Sequence, residues 1–126
     1  MKILLVDDDL DFCEATKLLL ESKGYEVVVA YDGKEGLEKV RAEKPDLVIL
    51  DVMMPEMNGY DVCVVIKADT ELKKTPVILL TGVDQAFFRT TYTRAMGLMT
   101  EADDYIAKPV EPGELVERVQ DLLDED

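Results

Sequence analysis

The stretch Ile3-Leu4-Leu5-Val6-Asp7-Asp8-Asp9 places four consecutive apolar residues directly ahead of three acids. The same device recurs: Val27–Ala30 runs into Tyr31-Asp32, Leu47–Leu50 into Asp51, and Val77–Leu80 into Thr81. A shorter run, Tyr105-Ile106-Ala107, leads into Lys108-Pro109. Unbroken runs of Val, Ile and Leu, as opposed to alternating ones, are expected of parallel strands covered on both faces. Between the runs the spacing is helical. Phe12, Ala15 and Leu19 share one face of a helix ending at Lys23-Gly24, and Leu37 and Val40 mark a second that stops before Pro45. Met57 to Ala68 reads as a third, opened by Asn58 and Gly59, and Phe88, Tyr92 and Ala95-Met96 fit a fourth. Glu111-Pro112 opens a fifth, with Leu115, Val119 and Leu122 as its stripe and Val116 and Leu123 alongside. Five strand–helix alternations predict an α/β fold, a doubly wound parallel sheet with right-handed crossovers and helices on both faces.

Working outward, the 126 residues form a single domain, 1–126, without repeat, linker or low-complexity segment. The terminal acids Asp124-Glu125-Asp126 oppose the helix dipole and predict a frayed last turn. No apolar stretch approaches the ~18 residues of a membrane span. The start is not that of a signal peptide, so the cytoplasm is the expected compartment. With 14 Lys and Arg against 28 Asp and Glu, the net charge of −14 argues against nucleic-acid binding by this chain alone. Histidine is absent. That removes His-based zinc sites, Ser–His–Asp and Cys–His catalysis, and any phosphohistidine carried by the chain itself. Cys13 and Cys63 lack CxxC spacing and read as reduced, packed thiols.

Ligands of open parallel sheets sit beyond the carboxyl ends of the strands, near the point where strand order reverses. In the order 2-1-3-4-5, the ends of strands one, three, four and five bring Asp7-Asp8, Asp51, Thr81 and Lys108 to one edge. Asp7, Asp8 and Asp51 carry three negative charges and Lys108 one positive. Crowded carboxylates raise one another's pKa unless a cation intervenes, and a hard divalent ion balances the cluster. Mg²⁺ fits best, because it is typically held by one or two carboxylates, waters and phosphate oxygens. Calcium is disfavoured by the missing EF-hand loop spacing. A metal beside a carboxylate, a hydroxyl and a lysine is arranged for phosphoryl transfer. Each residue also has a plainer reading. Asp7–Asp9 serve as a helix cap, Asp51 and Asn58-Gly59 as a turn, Thr81 as a cap, Lys108 as a surface charge and Tyr105 as core packing.

Together, Val6-Asp7-Asp8-Asp9, Asp51 through Gly59, Thr81-Gly82 and Asp103 through Pro109 resemble a two-component response regulator receiver domain of the stand-alone, chemotaxis-regulator kind. The resemblance covers nearly the whole chain and implies the flavodoxin-like (βα)5 fold. It implies that Asp51 accepts a phosphoryl group from a sensor histidine kinase or phosphotransfer protein. Asp8, Asp51 and the backbone carbonyl of Met53 would hold Mg²⁺, with Asp7 acting through a water. Thr81 and Lys108 would contact the phosphoryl group, and Tyr105 would turn inward as Thr81 moves. Lys108-Pro109 would be a cis peptide that aims the lysine. The chain would assist its own phosphorylation and dephosphorylation without being an enzyme. It would signal through protein–protein contacts to a downstream target, as a monomer or weak phosphorylation-dependent dimer.

Several positions depart from that pattern. Gly82 replaces the more usual Ala, and Thr81 to Lys108 spans 27 positions, longer than usual, with the excess near Met96 to Glu101. Met53 and Val83, two beyond Asp51 and Thr81, cannot orient a water by hydrogen bonding, which predicts slow self-dephosphorylation; a phosphoryl lifetime of seconds would contradict it. Three other functions fit parts of the pattern. An aspartyl-phosphate phosphatase would want a second carboxylate where Met53 stands. A flavodoxin-like electron carrier would leave Asp51 and Lys108 without a role. A receiver fragment of a longer multidomain regulator keeps every residue role.

Overall fold

The computed structural model describes residues 1–54, 57–81 and 102–123. Its strands are β1 (Lys2–Val6), β2 (Glu26–Ala30), β3 (Leu47–Asp51), β4 (Val77–Thr81) and β5 (Asp104–Ala107). All four pairings are parallel, in the expected order β2-β1-β3-β4-β5. The helices are α1 (Leu10–Ser22), α2 (Gly33–Glu43), α3 (Gly59–Ala68) and, after β5, α4 (Pro112–Leu123). The helix expected around Phe88 to Met96, the long segment Met96 to Glu101, Pro55-Glu56, Gly82, Val83 and the frayed end Asp124–Asp126 lie outside the described residues.

The continuous apolar runs are explained by the pleat, which sends alternate side chains to opposite faces. Leu4, Val6, Val48, Leu50, Val77 and Leu79 pack with Val40, Tyr60, Val62, Cys63 and Ile66 from α2 and α3. Ile3, Leu5, Leu47, Ile49, Ile78, Leu80 and Ile106 pack with Cys13, Leu20, Leu115, Val116 and Val119 from α1 and α4. Each face of the sheet is therefore a core, and polar residues are confined to the strand ends.

Two helix readings need correction. The buried face of α1 is Cys13, Thr16 and Leu20, one residue on from the expected Phe12, Ala15 and Leu19. Ala15 is exposed, and Phe12 and Leu19 are only half-buried at the flank facing α4. The small Cys13 and Thr16 allow α1 to approach the sheet, whereas a Phe beneath it would hold it off. The third helix is opened by Asn58 and Gly59 as expected, but its first residue is Gly59 and not Met57, because the Asn58 side chain caps it by accepting the Asp61 N–H at 3.0 Å with extended backbone.

The register of β4 and β5 is clamped far from the acids. Lys67 at the end of α3 donates to Thr75 O at 2.8 Å and pairs with Asp103 at 2.9 Å. The same Asp103 oxygen accepts the Val77 N–H at 2.8 Å. Fixing where these strands start also fixes where Thr81 and Lys108 end.

Candidate functional site

Four of the candidate side chains are the first polar residue beyond an apolar run. Asp7 follows β1 and is fully buried, Asp51 ends β3 and is 3% exposed, and Thr81 ends β4 and is buried. Lys108 follows β5 and leaves 29% of its side chain exposed. One oxygen from each of Asp7, Asp8 and Asp51 lies within 4.8 Å of the others. Two of these three carboxylates are buried, so the cluster is more than a solvated acidic surface.

The three consecutive acids divide their work. Asp9 is the N-cap of α1, accepting the Phe12 N–H at 3.1 Å. The cap reading thus holds for Asp9, while Asp8 and Asp7 point to the cluster. Asp7 is held by the Asp9 N–H at 3.0 Å on Oδ1 and by the Lys108 ammonium at 3.0 Å on Oδ2. The Cys13 thiol donates to the Asp7 carbonyl at 3.3 Å, and burial together with the Asp7 charge pushes that thiol up to about 12. Cys13 and Cys63 are both buried thiols, as the sequence predicts.

Lys108 bridges two carboxylates, since its ammonium also lies 3.3 Å from Asp51 Oδ1. Its backbone N–H donates to the Thr81 carbonyl, and the Lys108-Pro109 bond is cis, as expected. Burial pulls the ammonium's pKa down, but the hydrogen bond to Asp7 and the charges of Asp51 and Asp7 outweigh it and hold the group above its ordinary value. Burial, and then the Asp7 charge, push the Asp51 carboxyl up to about 6, although Lys108 and the Met53 backbone N–H favour its ionised form. An anion kept in place despite this cost is poised to gain from any added cation.

Thr81 and Tyr105 share one face of the sheet. Tyr105 pairs with Leu79 and Ala107 with Thr81, so by the pleat the two side chains stand on the same side, two residues apart along neighbouring strands. Tyr105 is half-buried against the core under α3. The Met53 side chain is 60% exposed.

Three features of the site escape a reading of the sequence. A Cβ on Gly59 would lie 2.4 Å from the Asp51 carbonyl oxygen, so the glycine read as a turn signal is needed for α3 to start against the end of β3. The Cys13–Asp7 bond depends on α1 lying one residue round from its expected face. The ring of Phe12 lies 5.4 Å from the Lys108 ammonium, a contact across elements that only a folded chain makes.

Comparison with known proteins agrees with this geometry. Residues 3–120 match the response regulator receiver domain family. The DNA-binding response regulator MtrA of Mycolicibacterium paratuberculosis is 43% identical over 122 residues, covering 97% of this chain and 51% of that protein. The chain thus spans about half the length of this curated relative. The signal receiver domain of a signal transduction histidine kinase from Syntrophus aciditrophicus superposes with a TM-score of 0.85 at 36% identity, covering 98% of this chain and 89% of the other. The receiver domain of the sensor histidine kinase PA1611 from Pseudomonas aeruginosa PAO1, solved with a magnesium ion coordinated in its active-site cleft, superposes with a TM-score of 0.83 at 27% identity over 98% of both chains. Among the described residues, no helix is long and apolar enough to cross a membrane. With its five parallel strands, its acidic edge and a family match over nearly its whole length, this chain belongs to the response regulator receiver domains, the phosphoacceptor switches of two-component signalling.

Proposed function

We propose that Asp51 is the phosphoacceptor and that the donor is a phosphohistidine on a sensor histidine kinase or phosphotransfer protein. The observation that carries this reading is the Lys108 ammonium, 3.3 Å from Asp51 and 3.0 Å from Asp7, set among carboxylates that outnumber it. A carboxylate oxygen of Asp51 attacks phosphorus; the O–P bond forms as the P–N bond breaks, and the histidine nitrogen keeps the electron pair. Such a reaction needs alignment and neutralised equatorial oxygens more than covalent help. Lys108 meets one side of the phosphoryl group and the Thr81 hydroxyl donates to another.

Mg²⁺ fits the donor set, since three carboxylate oxygens gather within 4.8 Å with one ammonium against them. Asp8, Asp51 and the Met53 carbonyl would bind it directly and Asp7 through a water. When bound, it supplies charge neutralisation and oxygen coordination at the acceptor. The magnesium in the PA1611 receiver supports this assignment.

The acyl phosphate replaces one carboxylate charge with about two. Thr81 moves toward it, and Tyr105, on the same face, turns into the space released. The chain assists its own phosphorylation and dephosphorylation but is a switch, not a turnover enzyme. Its output is a protein–protein contact. The half-length match to MtrA favours a second form of that output, in which the receiver controls a joined module in place of a separate protein.

Titration with Mg²⁺ and beryllofluoride, a phosphoryl mimic, followed by NMR tests the reading. Wild type should shift at Asp51, Thr81 and Tyr105, while Asp51→Asn stays unchanged. Equal response of both proteins rejects Asp51 as the acceptor.

A further inference from the structure

The ammonium of Lys108 has three described neighbours of opposite or attractive character: Asp7, Asp51 and the face of Phe12, whose centroid lies 5.4 Å away. The distance is within reach of a cation–π attraction. Phe12 is tied to the carboxylate that holds the lysine through one intervening residue, Asp9. Its N–H donates to Asp9 Oδ1 at 3.1 Å, and the Asp9 N–H donates to Asp7 Oδ1 at 3.0 Å. A helical side chain near an N-terminus leans back over the turn before it, toward the strand ends. Phe12 also packs, half-buried, on the cluster containing Leu115 and Val119, which limits the ring's movement.

A lysine ammonium is a compact charge on a flexible four-carbon stem, and with 29% of the Lys108 side chain exposed its partners alone decide its place. Those partners do not stay constant through the reaction. Asp51 ceases to be a free carboxylate when it is phosphorylated, and Asp7 meets a changed local charge. The ring of Phe12 neither ionises nor accepts a competing ion pair, so its attraction is the same before and after transfer.

We propose that Phe12 is a positioning residue for Lys108, its ring forming the unchanging wall of a seat from which the ammonium reaches the phosphoryl oxygens. The inference rests on the assignment of Asp51 as phosphoacceptor. In a purely packing role, Phe12 would secure α1 against α4 and have no particular link to Lys108.

The test is the apparent affinity for beryllofluoride at saturating Mg²⁺ by NMR, in wild type, Phe12→Leu, Phe12→Met, Phe12→Tyr, Lys108→Ala and the Phe12→Leu/Lys108→Ala double variant, each checked by thermal melting. Phe12→Leu and Phe12→Met should each weaken binding by roughly threefold, the size of a partly exposed cation–π contact. Phe12→Tyr, which keeps the ring face, should bind within twofold of wild type. In the Lys108→Ala background the Phe12→Leu change should cost nothing more. An unchanged affinity for both Phe12→Leu and Phe12→Met, or the same loss with and without Lys108, overturns the proposal. Should either aliphatic variant fail to fold, the other carries the comparison. Failure of the underlying assignment looks different: wild type would not respond, or Asp51→Asn would respond equally, and the positioning role would fall with it.

Discussion

The Lys108 ammonium lies 3.3 Å from Asp51 Oδ1, joining a residue that follows the last strand of the sheet to the one that ends its central strand. The same nitrogen is 3.0 Å from Asp7, so one positive charge serves two buried carboxylates. Burial, and then the Asp7 charge, raise the Asp51 pKa, and the negative charge left over favours an added cation.

Removing Lys108 should therefore expose the strain. In metal-free buffer, Lys108→Ala is expected to lower stability by about 1–3 kcal/mol, below the full cost of breaking a buried pair because the lysine is 29% exposed. Urea unfolding measures this, and the deficit should shrink toward pH 5 as Asp51 takes up a proton. A deficit that does not change with pH would mean that the loss is one of packing.

The Asp51 shift sets a pH window. The folded-state value, about 6, lies above the ordinary 3.8, so between these values the folded protein holds a proton that the unfolded chain has released. Stability from this group is fully present below pH 3.8 and is lost as pH rises through about 6. Asp51→Asn removes that dependence and should stabilise the metal-free protein at pH 7.5 by roughly 2–3 kcal/mol relative to wild type. Melting curves across pH 4.5–7.5 check it, with the two proteins converging at the acid end.

Gly59 should tolerate no side chain. A Cβ would lie 2.4 Å from the Asp51 carbonyl oxygen, so Gly59→Ala is expected to cost about 2 kcal/mol or more and to displace the end of β3. A Cβ on Gly113, in the first turn of α4, would meet nothing nearer than the Glu111 side chain at 3.6 Å, and Gly113→Ala should be neutral or stabilising by up to ~1 kcal/mol. Comparing the two by chemical denaturation separates steric clash from backbone entropy.

The fold was legible because each strand is built on an apolar run, and Asp7, Asp51, Thr81 and Lys108 are each the first polar group beyond one. The turns of the helices about their own axes were less so. α1 carries apolar residues on more than one side, and which side faces the sheet depends on the small Cys13 and Thr16 fitting beneath it. Among Asp7, Asp8 and Asp9 the sequence shows three like residues, whereas the chain turns between them. Asp7 is buried against Lys108, Asp8 remains exposed in the cluster and Asp9 caps a helix. The Phe12–Lys108 contact joins residues 96 positions apart in sequence and has no local signature.

Metal binding should register as stability. A hundredfold excess of Mg²⁺ over Kd is expected to add about 2.7 kcal/mol to wild type. Asp8→Asn should raise the metal-free melting temperature, by relieving repulsion, and sharply reduce the increment from Mg²⁺. Thermal melts of both proteins with EDTA and with Mg²⁺ measure the two effects, and indifference to Mg²⁺ in wild type would contradict the assigned ligands.

Intact-mass and peptide-mapping spectrometry after treatment with acetyl phosphate and Mg²⁺ tests the central claim most directly. Wild type should gain one phosphoryl increment of roughly 80 Da, located on the peptide bearing Asp51 and absent from Asp51→Asn. An unchanged mass in wild type, or an increment retained by Asp51→Asn, would contradict the account.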